Sequence, residues 1–509
     1  MESNTRKNIK YGSILAFISF FASIITYIFF TPFLLKHVGD NQYGIYSFAL
    51  SITTWFTFAL SSITSGYNRF YSAGTIGKEK YDGKTVNSSY FVIFIIYGFL
   101  ILIASGIFLA LMMTNVIPLN GYTADEKNLI YLLFAFTIIG ILISLVFQIF
   151  KMNLTYNSKF IWIHGCTILT TILKCTLPIP FLLSGSSILI VAIVALLANT
   201  FALIIDFFYD YFILKIKFSF KNIIADKSLF KQILVFTAIL LLDEFATKIS
   251  LNINAMALGF KAYTIENAHY LLGSQIVPYA TGAVILIAKT FSPTVNDNET
   301  LKCHDKNVAL FQKVSFIQMS IWMLMVGGFI AFGKDFVKLW LGSGYDDVYW
   351  ICGVLLVLKT VPVCSILTQD IEWACGKHLG RSIIYVISAS IHALIVFILI
   401  SLLPREMSII LCLVGTTFSI LVFDWVVLPI YHKKTIGAPM GLFYIDILKF
   451  ILILLPLVSL ALIFNVLIAS PILSFFIKAL IFSLLYILIM MLVFPKQMKT
   501  VFAFFKRKK

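Results

Sequence analysis

The sequence predicts an all-α integral membrane protein in which fourteen helices cross the bilayer. The 509-residue chain is 60% hydrophobic and only 12% charged, whereas a soluble globular chain carries about 45–50% apolar and roughly 25% charged residues. Fourteen stretches hold the roughly 20 mostly apolar residues that a spanning helix needs. Lysine and arginine residues collect on alternate sides of these stretches, as is typical of a multi-pass membrane protein.

The predicted spans follow one another closely along the chain. They cover approximately residues 12–35, 43–65, 90–113, 129–149, 160–182, 186–212, 232–257, 268–290, 311–333, 348–371, 381–403, 408–431, 443–465 and 470–494. The first span is too long for the apolar region of a signal peptide, so we expect it to remain in the protein. The longest gap, 66–89, is too short for a folded domain, which argues against a polymerase or glycosyltransferase with a large outer loop.

The distribution of positive charge predicts the orientation. With the N-terminus placed in the cytoplasm, 28 lysines and arginines fall on inner segments and six on outer segments. This split predicts that both termini are cytoplasmic, because one missed helix would invert every later loop. The net charge of +16 then reflects topology and attraction to anionic lipids, and nucleic acid is not needed to explain it. The basic, aromatic tail 495–509 is expected to lie on the inner leaflet.

A weak internal repeat predicts two six-helix lobes in the same orientation. Six pairs of residues align at an offset of 220 and, beyond the fourth span, 218: Gly39 with Gly259, Tyr43 with Tyr263, Arg69 with Lys289, Lys159 with Lys377, Lys174 with His392, and Asp206 with Asp424. Duplicated bundles of this kind are common in transporters. The predicted organisation is an N-lobe (1–212), a cytoplasmic linker (213–231), a C-lobe (232–434), two further helices (435–494) and the basic tail (495–509).

Basic residues within the predicted spans are the main candidates for substrate binding. An ionisable side chain at mid-membrane costs at least about 2.5–3.5 kcal/mol, so it needs a partner, a wet cavity or a function. Lys174 and Lys359 each precede a proline, Pro178 and Pro362, that is expected to kink the helix and to free backbone carbonyls. We expect these lysines to line a cavity, the alternatives being neutralisation by burial or pairing with a carboxylate. His392, the repeat mate of Lys174, either lines the same cavity or bonds to a neighbouring helix.

Two further cations stand at the predicted cytoplasmic ends of equivalent helices. Arg69 ends the second span and Lys289 ends the eighth. Their symmetric placement predicts a role in gating or in capturing a phosphate group at the inner mouth. The alternative is ordinary positive-inside topology.

Acids within the spans are candidates for ion coupling. Glu244 precedes Lys248 by four residues, the favourable order for an intrahelical pair, so Lys248 either binds substrate or is neutralised by Glu244. Asp243 lies about 100° around the helix from Glu244 and is a candidate to carry a coupling proton. Asp206 and Asp424 each precede a lysine by nine positions, so they either couple an ion or anchor their helices at the interface.

Sequence motifs of soluble enzymes are absent. The chain has no GxxxxGK[ST] loop for ATP, no HExxH and no GxSxG. The seven cysteines form no CxxC pair, so neither a disulfide framework nor a zinc site is predicted. We therefore expect no catalytic site, no metal and no cofactor, and transport that draws on an ion gradient or on the substrate gradient.

The first two predicted spans resemble the opening of Wzx-type polysaccharide-unit flippases. The pattern Pro-x-Leu-Leu-x-x-x-Gly-x-x-x-Tyr-Gly, which begins at Pro32, and the helix end Gly66-x-x-Arg69 carry the resemblance. It is clear over residues 8–90 and rests on topology over the remainder. These flippases belong to the polysaccharide transport family, within the multidrug/oligosaccharidyl-lipid/polysaccharide (MOP) exporter superfamily.

The resemblance implies two pseudo-symmetric six-helix lobes plus two C-terminal helices around a cationic cavity. It also implies a flippase of the bacterial inner membrane that moves an undecaprenyl-diphosphate-linked oligosaccharide to the outer leaflet. The product would feed O-antigen, lipopolysaccharide or capsule synthesis, with a polymerase and a chain-length regulator as partners. Glu244 does not fit this expectation, because its negative charge can neutralise the positive charge of Lys248. The alternatives are a multidrug or cation exporter of the same superfamily, a peptidoglycan-precursor flippase, a membrane-embedded polysaccharide polymerase or ligase, and a passive scramblase or scaffold.

Overall fold

The computed structural model describes residues 2–75, 81–220, 227–464, 471–495 and 497–498. Over these ranges all regular structure is helical, which confirms the predicted all-α class. The chain forms two compact units, Met1–Ala268 and His269–Lys509. Most of the predicted tail 495–509 and part of the predicted linker lie outside the described residues. The predicted lobe boundaries stay a prediction.

The first unit consists of helices joined by short turns. In its described part they are α1 (Glu2–Trp55), α2 (Phe58–Ser65), α3 (Tyr67–Thr75), α4 (Gly83–Met113), α5 (Ala124–Tyr156), α6 (Phe160–Thr176), α7 (Pro178–Leu183), α8 (Leu189–Phe208), the π-helical segment π1 (Tyr209–Leu214), α9 (Lys227–Phe260) and the start of α10 (Thr264–Lys289). Helix α1 packs against α5, α6 and α9, and α5 packs against α4 and α8. The seventh predicted span, which corresponds to α9, therefore packs within this unit.

The second unit begins inside α10, at His269, and contains most of that helix. Its described helices beyond α10 are α11 (Ser292–Thr300), α12 (His304–Leu341), α13 (Asp346–Leu358), α14 (Thr360–Cys364), α15 (Leu367–Ala374), α16 (Leu379–Leu402), a short 3-10 helix (Arg405–Met407), α17 (Ser408–Ser419), the π-helical segment π2 (Ile420–Val427), α18 (Leu428–Ile436), α19 (Met440–Phe464) and α20 (Pro471–Val493). Helix α12 packs against α13, α14, α19 and α20. It is therefore the helix on which the two C-terminal helices dock.

The long helical segment α1 consists of two helices that meet at a kink at Gly39. Its 54 residues would span roughly 80 Å if straight, far more than the roughly 30 Å hydrocarbon core. Gly39 has φ 73° and ψ 167°, a backbone conformation that is essentially restricted to glycine. The break separates the first and second predicted spans, which both contribute to α1. Gly259, the predicted repeat mate of Gly39, instead lies within helix α9, where the Phe48 ring occupies the space of a side chain.

Local sequence explains where helices α4 and α5 begin. Asp82 caps α4, and its Oδ1 accepts hydrogen bonds from Thr85 Oγ1 at 2.6 Å and from Thr85 N at 2.9 Å. These bonds, the hydroxyl one above all, hold the pKa of the Asp82 carboxyl below its usual range. Thr123 and Glu126 form a reciprocal capping box at the start of α5.

Eleven helices within the described residues are long and apolar enough to cross a membrane. The chain is thus a multi-pass membrane protein, and the count of fourteen crossings stays a prediction. The difference has three sources: the first and second predicted spans share α1, the seventh (α9) contains Asp243, Glu244 and Lys248, and the tenth is divided into three short helices, α13 to α15. Large apolar side chains such as Phe99 (61% exposed) and Leu452 (67%) cover the exterior, as lipid contact requires.

Candidate functional site

The sixth predicted span of each half contains a π-helical segment. In the first unit, α8 continues into π1. In the second, α17 continues into π2 and then into α18. Asp206 lies three residues before π1 and Asp424 lies inside π2, so the pair of aligned acids accompanies the same distortion. π-helical turns are rare and are often found at functional sites. The shared segment is consistent with the predicted repeat, and it directs attention to the side chains around both acids.

A buried acid–amide network surrounds π1 in the first unit. It consists of Tyr67, Asn87, Asn153 and Asp210, which are all at most 2% exposed. Asn153 Nδ2 donates to Asp210 Oδ1 at 2.6 Å, and the Tyr67 hydroxyl donates to Asn87 Oδ1 at 2.7 Å. Asn87 Nδ2 in turn donates to the Lys217 carbonyl at 3.1 Å. The network therefore ties α3, α4, α5 and π1 together at the end that is predicted to be cytoplasmic.

Asp210 is the chemically unusual member of this network. Its Oδ2 is buried and has no hydrogen-bond partner among the described residues. No lysine or arginine of those residues lies within 4.0 Å of its carboxylate, whose described bond comes from a neutral amide. Burying an unpaired carboxylate is costly, and such a group takes up a proton or a cation instead. Asp210 thus has the surroundings of a proton or cation binder.

Asp206 and Lys174 occupy separate places in the first unit. Asp206 is 5% exposed and its Oδ1 accepts a hydrogen bond from Trp162 Nε1 at 3.1 Å, so the predicted ion-coupling acid is buried against an indole. Lys174 is half-buried in the last turn of α6. The helix ends two residues later and α7 starts at Pro178, which confirms the predicted break. Among the described residues, Lys174 has no carboxylate within 4.0 Å.

Helix α9 carries three of the predicted residues on two turns. Glu244 and Lys248 are both half-buried, but no ion pair within 4.0 Å joins them in the described part of the chain. The alternative in which Glu244 neutralises Lys248 is therefore not what this structure contains. Asp243 is half-buried beside them, and its backbone carbonyl accepts a bond from the Thr247 hydroxyl at 2.8 Å. Lys248 therefore has no ion-pair partner among the described residues, on a helix that packs against α1 and α2.

In the second unit, a break between α13 and α14 presents Lys359. The predicted kink before Pro362 is confirmed, since α13 ends at Leu358 and α14 begins at Thr360. Two tryptophans fix both sides of the break. Trp425 Nε1 donates to the Leu358 carbonyl at 2.8 Å and Trp322 Nε1 donates to Thr360 Oγ1 at 3.1 Å. Lys359 is half-buried and, like Lys174, has no carboxylate within 4.0 Å in the described ranges.

Three predicted residues converge around that break. The charge of Lys359 lies within electrostatic range of both His392 and Asp424. His392 is 2% exposed, and its Nε2 lies 3.1 Å from Thr416 Oγ1, so the alternative of a hydrogen bond to a neighbouring helix is the one observed. Asp424 is half-buried on π2. The second unit therefore places Lys359 within electrostatic range of His392 and Asp424, whereas no such interaction joins Lys174 and Asp206 in the described part of the first unit.

A second buried cluster in this unit was not predicted as a site. Glu372 is fully buried, and its Oε1 lies 2.6 Å from His432 Nδ1. Its Oε2 lies 3.7 Å from Arg381 Nη1, an ion pair that is longer than a hydrogen bond. The Arg381 guanidinium also lies 6.0 Å from the Trp373 ring centre, and Thr368 Oγ1 lies 3.3 Å from His432 Nε2. We call Glu372, Arg381 and His432 the buried ion-pair cluster.

The two cations at the predicted inner mouth differ in their partners. Lys289 Nζ is 2.7 Å from Asp370 Oδ1, so its charge is matched, and its side chain is 53% exposed. Arg69 is exposed on α3, and its guanidinium lies over two aromatic rings, 5.4 Å from the centre of Phe236 and 5.9 Å from that of Phe70. Stacking on aromatic faces does not use the N–H donors of Arg69, and no described residue accepts a hydrogen bond from them, so they can bind a phosphate.

A cavity in the second unit lies away from these residues. It measures about 310 Å³ and lies between α12 and α19, with Phe316, Phe443 and Lys449 among its lining residues. None of the predicted substrate-binding residues lines it. Lys449 there lies 3.3 Å from Asp446, so this lysine, unlike Lys359, has an acid partner.

Comparisons with known proteins establish the fold. No family model and no curated protein matches the sequence. The chain is similar to the structure of the lipid II flippase MurJ in an inward closed conformation, with a TM-score of 0.67 at 15% identity over 96% of this chain and 99% of that chain. It is also similar to the MATE transporter VcmN of Vibrio cholerae, with a TM-score of 0.56 at 15% identity over 85% of this chain and 98% of that chain.

The chain is similar to a third structure. It is a MOP superfamily transporter from Pyrococcus furiosus, described as having a binding pocket of reversed polarity, with a TM-score of 0.58 at 13% identity over 85% of this chain and 94% of that chain. Identities this low establish the fold and nothing finer. The protein therefore has the fold that these three structures share, and assignment to the MOP superfamily and to its Wzx type stays a prediction.

Proposed function

We propose that the protein is a flippase for a polyprenyl-diphosphate-linked oligosaccharide, which it moves from the cytoplasmic to the outer leaflet of a bacterial inner membrane. The observation that carries the proposal is that Lys174, Lys248 and Lys359 are half-buried in or between apolar helices without a carboxylate within 4.0 Å in the described ranges. Because each such cation is costly to keep in hydrocarbon, its retention needs a reason. An anionic headgroup that passes through supplies one.

The chemistry of the cargo fits these lysines. A diphosphate joined to sugars cannot enter hydrocarbon unaided, since ionised groups lose several kcal/mol or more of hydration there. Ammonium groups form short, charge-assisted hydrogen bonds with phosphate oxygens and replace that hydration. Arg69, whose planar guanidinium suits bidentate binding of phosphate, is the proposed site of first capture. Lys289 contributes less in this scheme because Asp370 already matches its charge.

Alternating access is the proposed mechanism. Transporters that are built from repeated bundles expose a central site first to one side and then to the other as one bundle moves against its mate. A bound anion can drive this change only if it binds the two states with different affinity. The polyprenyl chain remains in lipid throughout, because its transfer out of hydrocarbon would be unfavourable.

Ion coupling is assigned to acids rather than to the lysines. The candidates are Asp206, Asp243, Glu244 and Asp424, to which we add Asp210 because it is buried with one oxygen unpartnered. A proton or cation bound by Asp210 would neutralise the acid–amide network during one half of the cycle. The buried, unpartnered oxygen of Asp210 is also the observation that favours the rival function. In that function, a cation or drug exporter, acids rather than lysines would bind the cargo.

The test is leaflet transfer in proteoliposomes that contain this protein alone. A fluorescent polyprenyl-diphosphate oligosaccharide is placed in one leaflet, and its arrival in the other is followed by enzymatic removal of the exposed sugar. We expect the variants Lys174→Gln and Lys359→Gln to lose at least about tenfold in rate, which corresponds to about 1.4 kcal/mol. Lys174→Arg should retain most of the rate. The matched control is Lys449→Gln: Lys449 has an acid partner, Asp446, in the unmodified protein, so the variant should transport as the unmodified protein does.

Two results would overturn the proposal. One is an unchanged rate in a triple variant in which Lys174, Lys248 and Lys359 are all glutamine. The other is transport of lipophilic cations with no transfer of the lipid-linked sugar, which would establish the exporter function instead. In cells, Lys174→Ala and Arg69→Ala should each reduce surface polysaccharide while the amount of protein in the membrane stays the same.

A further inference from the structure

Three side chains with metal-binding atoms meet in the second unit, at the end that is predicted to be cytoplasmic. Glu299 lies in the last turn of α11, His304 is the first residue of α12, and Cys375 follows α15 directly. His304 Nδ1 lies 2.7 Å from Glu299 Oε1 and 3.8 Å from Cys375 Sγ. All three ligand atoms lie within 4.8 Å of one another. None of the three belongs to the proposed transport path.

A second layer of bonds orients two of these side chains. His304 Nε2 lies 2.9 Å from the backbone carbonyl of Ile436, which can only accept, so Nε2 carries a proton and Nδ1 faces the other two ligands. Asn307 is fully buried, and its Nδ2 donates to Glu299 Oε1 at 2.7 Å. Metal-bound histidines almost always donate their second ring N–H to a carbonyl or carboxylate in this way, and ligating carboxylates are likewise held by hydrogen bonds.

We propose that Glu299, His304 and Cys375 form a binding site for a divalent transition metal, with Zn²⁺ as the ion that fits best. The site lies outside the transport path and does not depend on the proposed function. A carboxylate oxygen, an imidazole nitrogen and a thiolate sulfur form a mixed donor set that suits a borderline ion such as Zn²⁺, whereas Mg²⁺ and Ca²⁺ prefer oxygen alone. Three protein ligands leave a fourth position for water, and His304 is 38% exposed, so an ion has a route of entry.

The distances require only a small adjustment. With bond lengths of about 2.0 to 2.3 Å and tetrahedral angles, the ligand atoms should lie about 3.3 to 3.6 Å apart. The observed separation of His304 Nδ1 from Cys375 Sγ, 3.8 Å, is already close to this value. The separation of Nδ1 from Glu299 Oε1, 2.7 Å, is that of a hydrogen bond and would open by roughly half an ångström. A metal would take the place of the proton that this bond contains.

The occupied site would join parts of the chain that are distant in sequence. Cys375 is 71 residues from His304, and the Ile436 carbonyl that holds His304 is 132 residues away. The metal would thus link the turn between α11 and α12 to the end of α15 and, through His304, to the end of α18. The expected consequence is a stiffer cytoplasmic end of the second unit.

The experiment uses the purified full-length protein in detergent, stripped of metal with a chelator. Co²⁺ is titrated first, because a thiolate ligand gives a charge-transfer band that oxygen and nitrogen ligands lack, and Zn²⁺ is then added to displace it. We expect one ion per chain. Loss of a neighbouring bond in such sites weakens affinity about 10- to 100-fold, so Cys375→Ser and His304→Gln should weaken it by more than about 100-fold. Cys303→Ser, a nearby cysteine outside the trio, is the matched control and should bind normally.

A second measurement keeps the test decisive if a variant does not fold. In the unmodified protein, the rate at which an alkylating reagent labels Cys375 is measured by mass spectrometry with and without Zn²⁺, with Cys303 as the internal reference. Protection of Cys375 alone supports the site. Equal labelling of Cys375 in both conditions overturns it, as does a Co²⁺ spectrum without a thiolate band or binding that survives both ligand substitutions.

Discussion

The two units stabilise helix ends that the predicted repeat aligns, but they do so with different side-chain partners. At the 218-residue offset, Asn153 falls on Ile371, next to Glu372, and Asp210 falls on Leu428, one turn before His432. In the first unit the buried acid, Asp210, bonds to a neutral amide and keeps one oxygen unpartnered within the described residues. In the second, the buried acid is Glu372, and it faces both His432 and Arg381.

This difference separates a structural cluster from a chemically responsive one. A buried acid that faces both a guanidinium and an imidazole forms a closed unit, so removing it leaves the buried guanidinium without this acid. A buried acid that faces an amide has no such partner, and its charge state depends on a proton or a cation from outside. Asp210 and Glu372 are both fully buried carboxylic acids, so the distinction between the clusters comes from the partners of these acids. We therefore expect the second cluster to control stability and the first to control transport.

The largest effect on stability is expected for Glu372→Gln. The substitution leaves Arg381 and His432 buried without their acid, and breaking a buried ion pair typically costs about 3–5 kcal/mol. Thermal unfolding of the purified protein and its abundance in membranes should both fall. Lys289→Gln is the matched control, because it breaks a partly exposed pair with Asp370 that is expected to contribute only about 0–1 kcal/mol. Equal stability of the two variants would show that the ion-pair cluster is not structural.

An intermediate effect is expected for Asn153→Leu. This change removes the donor to Asp210 Oδ1 and leaves a buried acceptor unsatisfied, which should cost about 1–3 kcal/mol. Adding Asp210→Leu should recover most of this loss, because replacing both partners by apolar side chains can be nearly neutral. Denaturation of the single and double variants measures the coupling. A double variant no more stable than Asn153→Leu would refute the idea that the amide acts mainly through Asp210.

The smallest effect on stability is expected for Asp210→Asn, together with the clearest effect on transport. The amide has the shape of the acid and an oxygen that can still accept from Asn153, so the free energy of unfolding should change by no more than about 1 kcal/mol. If Asp210 carries the coupling ion, the rate of leaflet transfer should lose its dependence on an imposed pH or cation gradient. A variant that keeps the full gradient dependence would exclude Asp210 from coupling.

Much of the helical framework could be predicted because it depends on local sequence. The predicted span 381–403 corresponds to α16, Leu379–Leu402, since long apolar runs without prolines specify a helix by themselves. The breaks near Lys174 and Lys359 were predicted because proline removes backbone hydrogen bonds at identifiable positions. The sequence left open whether each lysine has a carboxylate partner, and in the described residues neither has one within 4.0 Å.

The polar clusters could not be predicted for the opposite reason. Tyr67, Asn87 and Asn153 are ordinary polar residues near helix ends, and only the packing of α3, α4 and α5 brings them to Asp210. The cysteine count argued against a metal site because zinc motifs are recognised by short spacings. In this chain the ligand atoms come from helix ends 71 residues apart, a separation that no local pattern reveals. Glu372 was similarly indistinguishable from an interfacial acid.

The π-helical segments π1 and π2 have a consequence for comparing this chain with its relatives. A π-turn arises when one residue is inserted into an α-helix, so a homologue that lacks that residue would still be helical but would rotate the following side chains by about 100°. In an alignment this difference appears as a one-residue gap in the middle of an apparently uninterrupted helix. Where such a gap falls near Tyr209, the residue aligned with Asp210 should face a different neighbour. The gap would then mark transporters that handle ions differently.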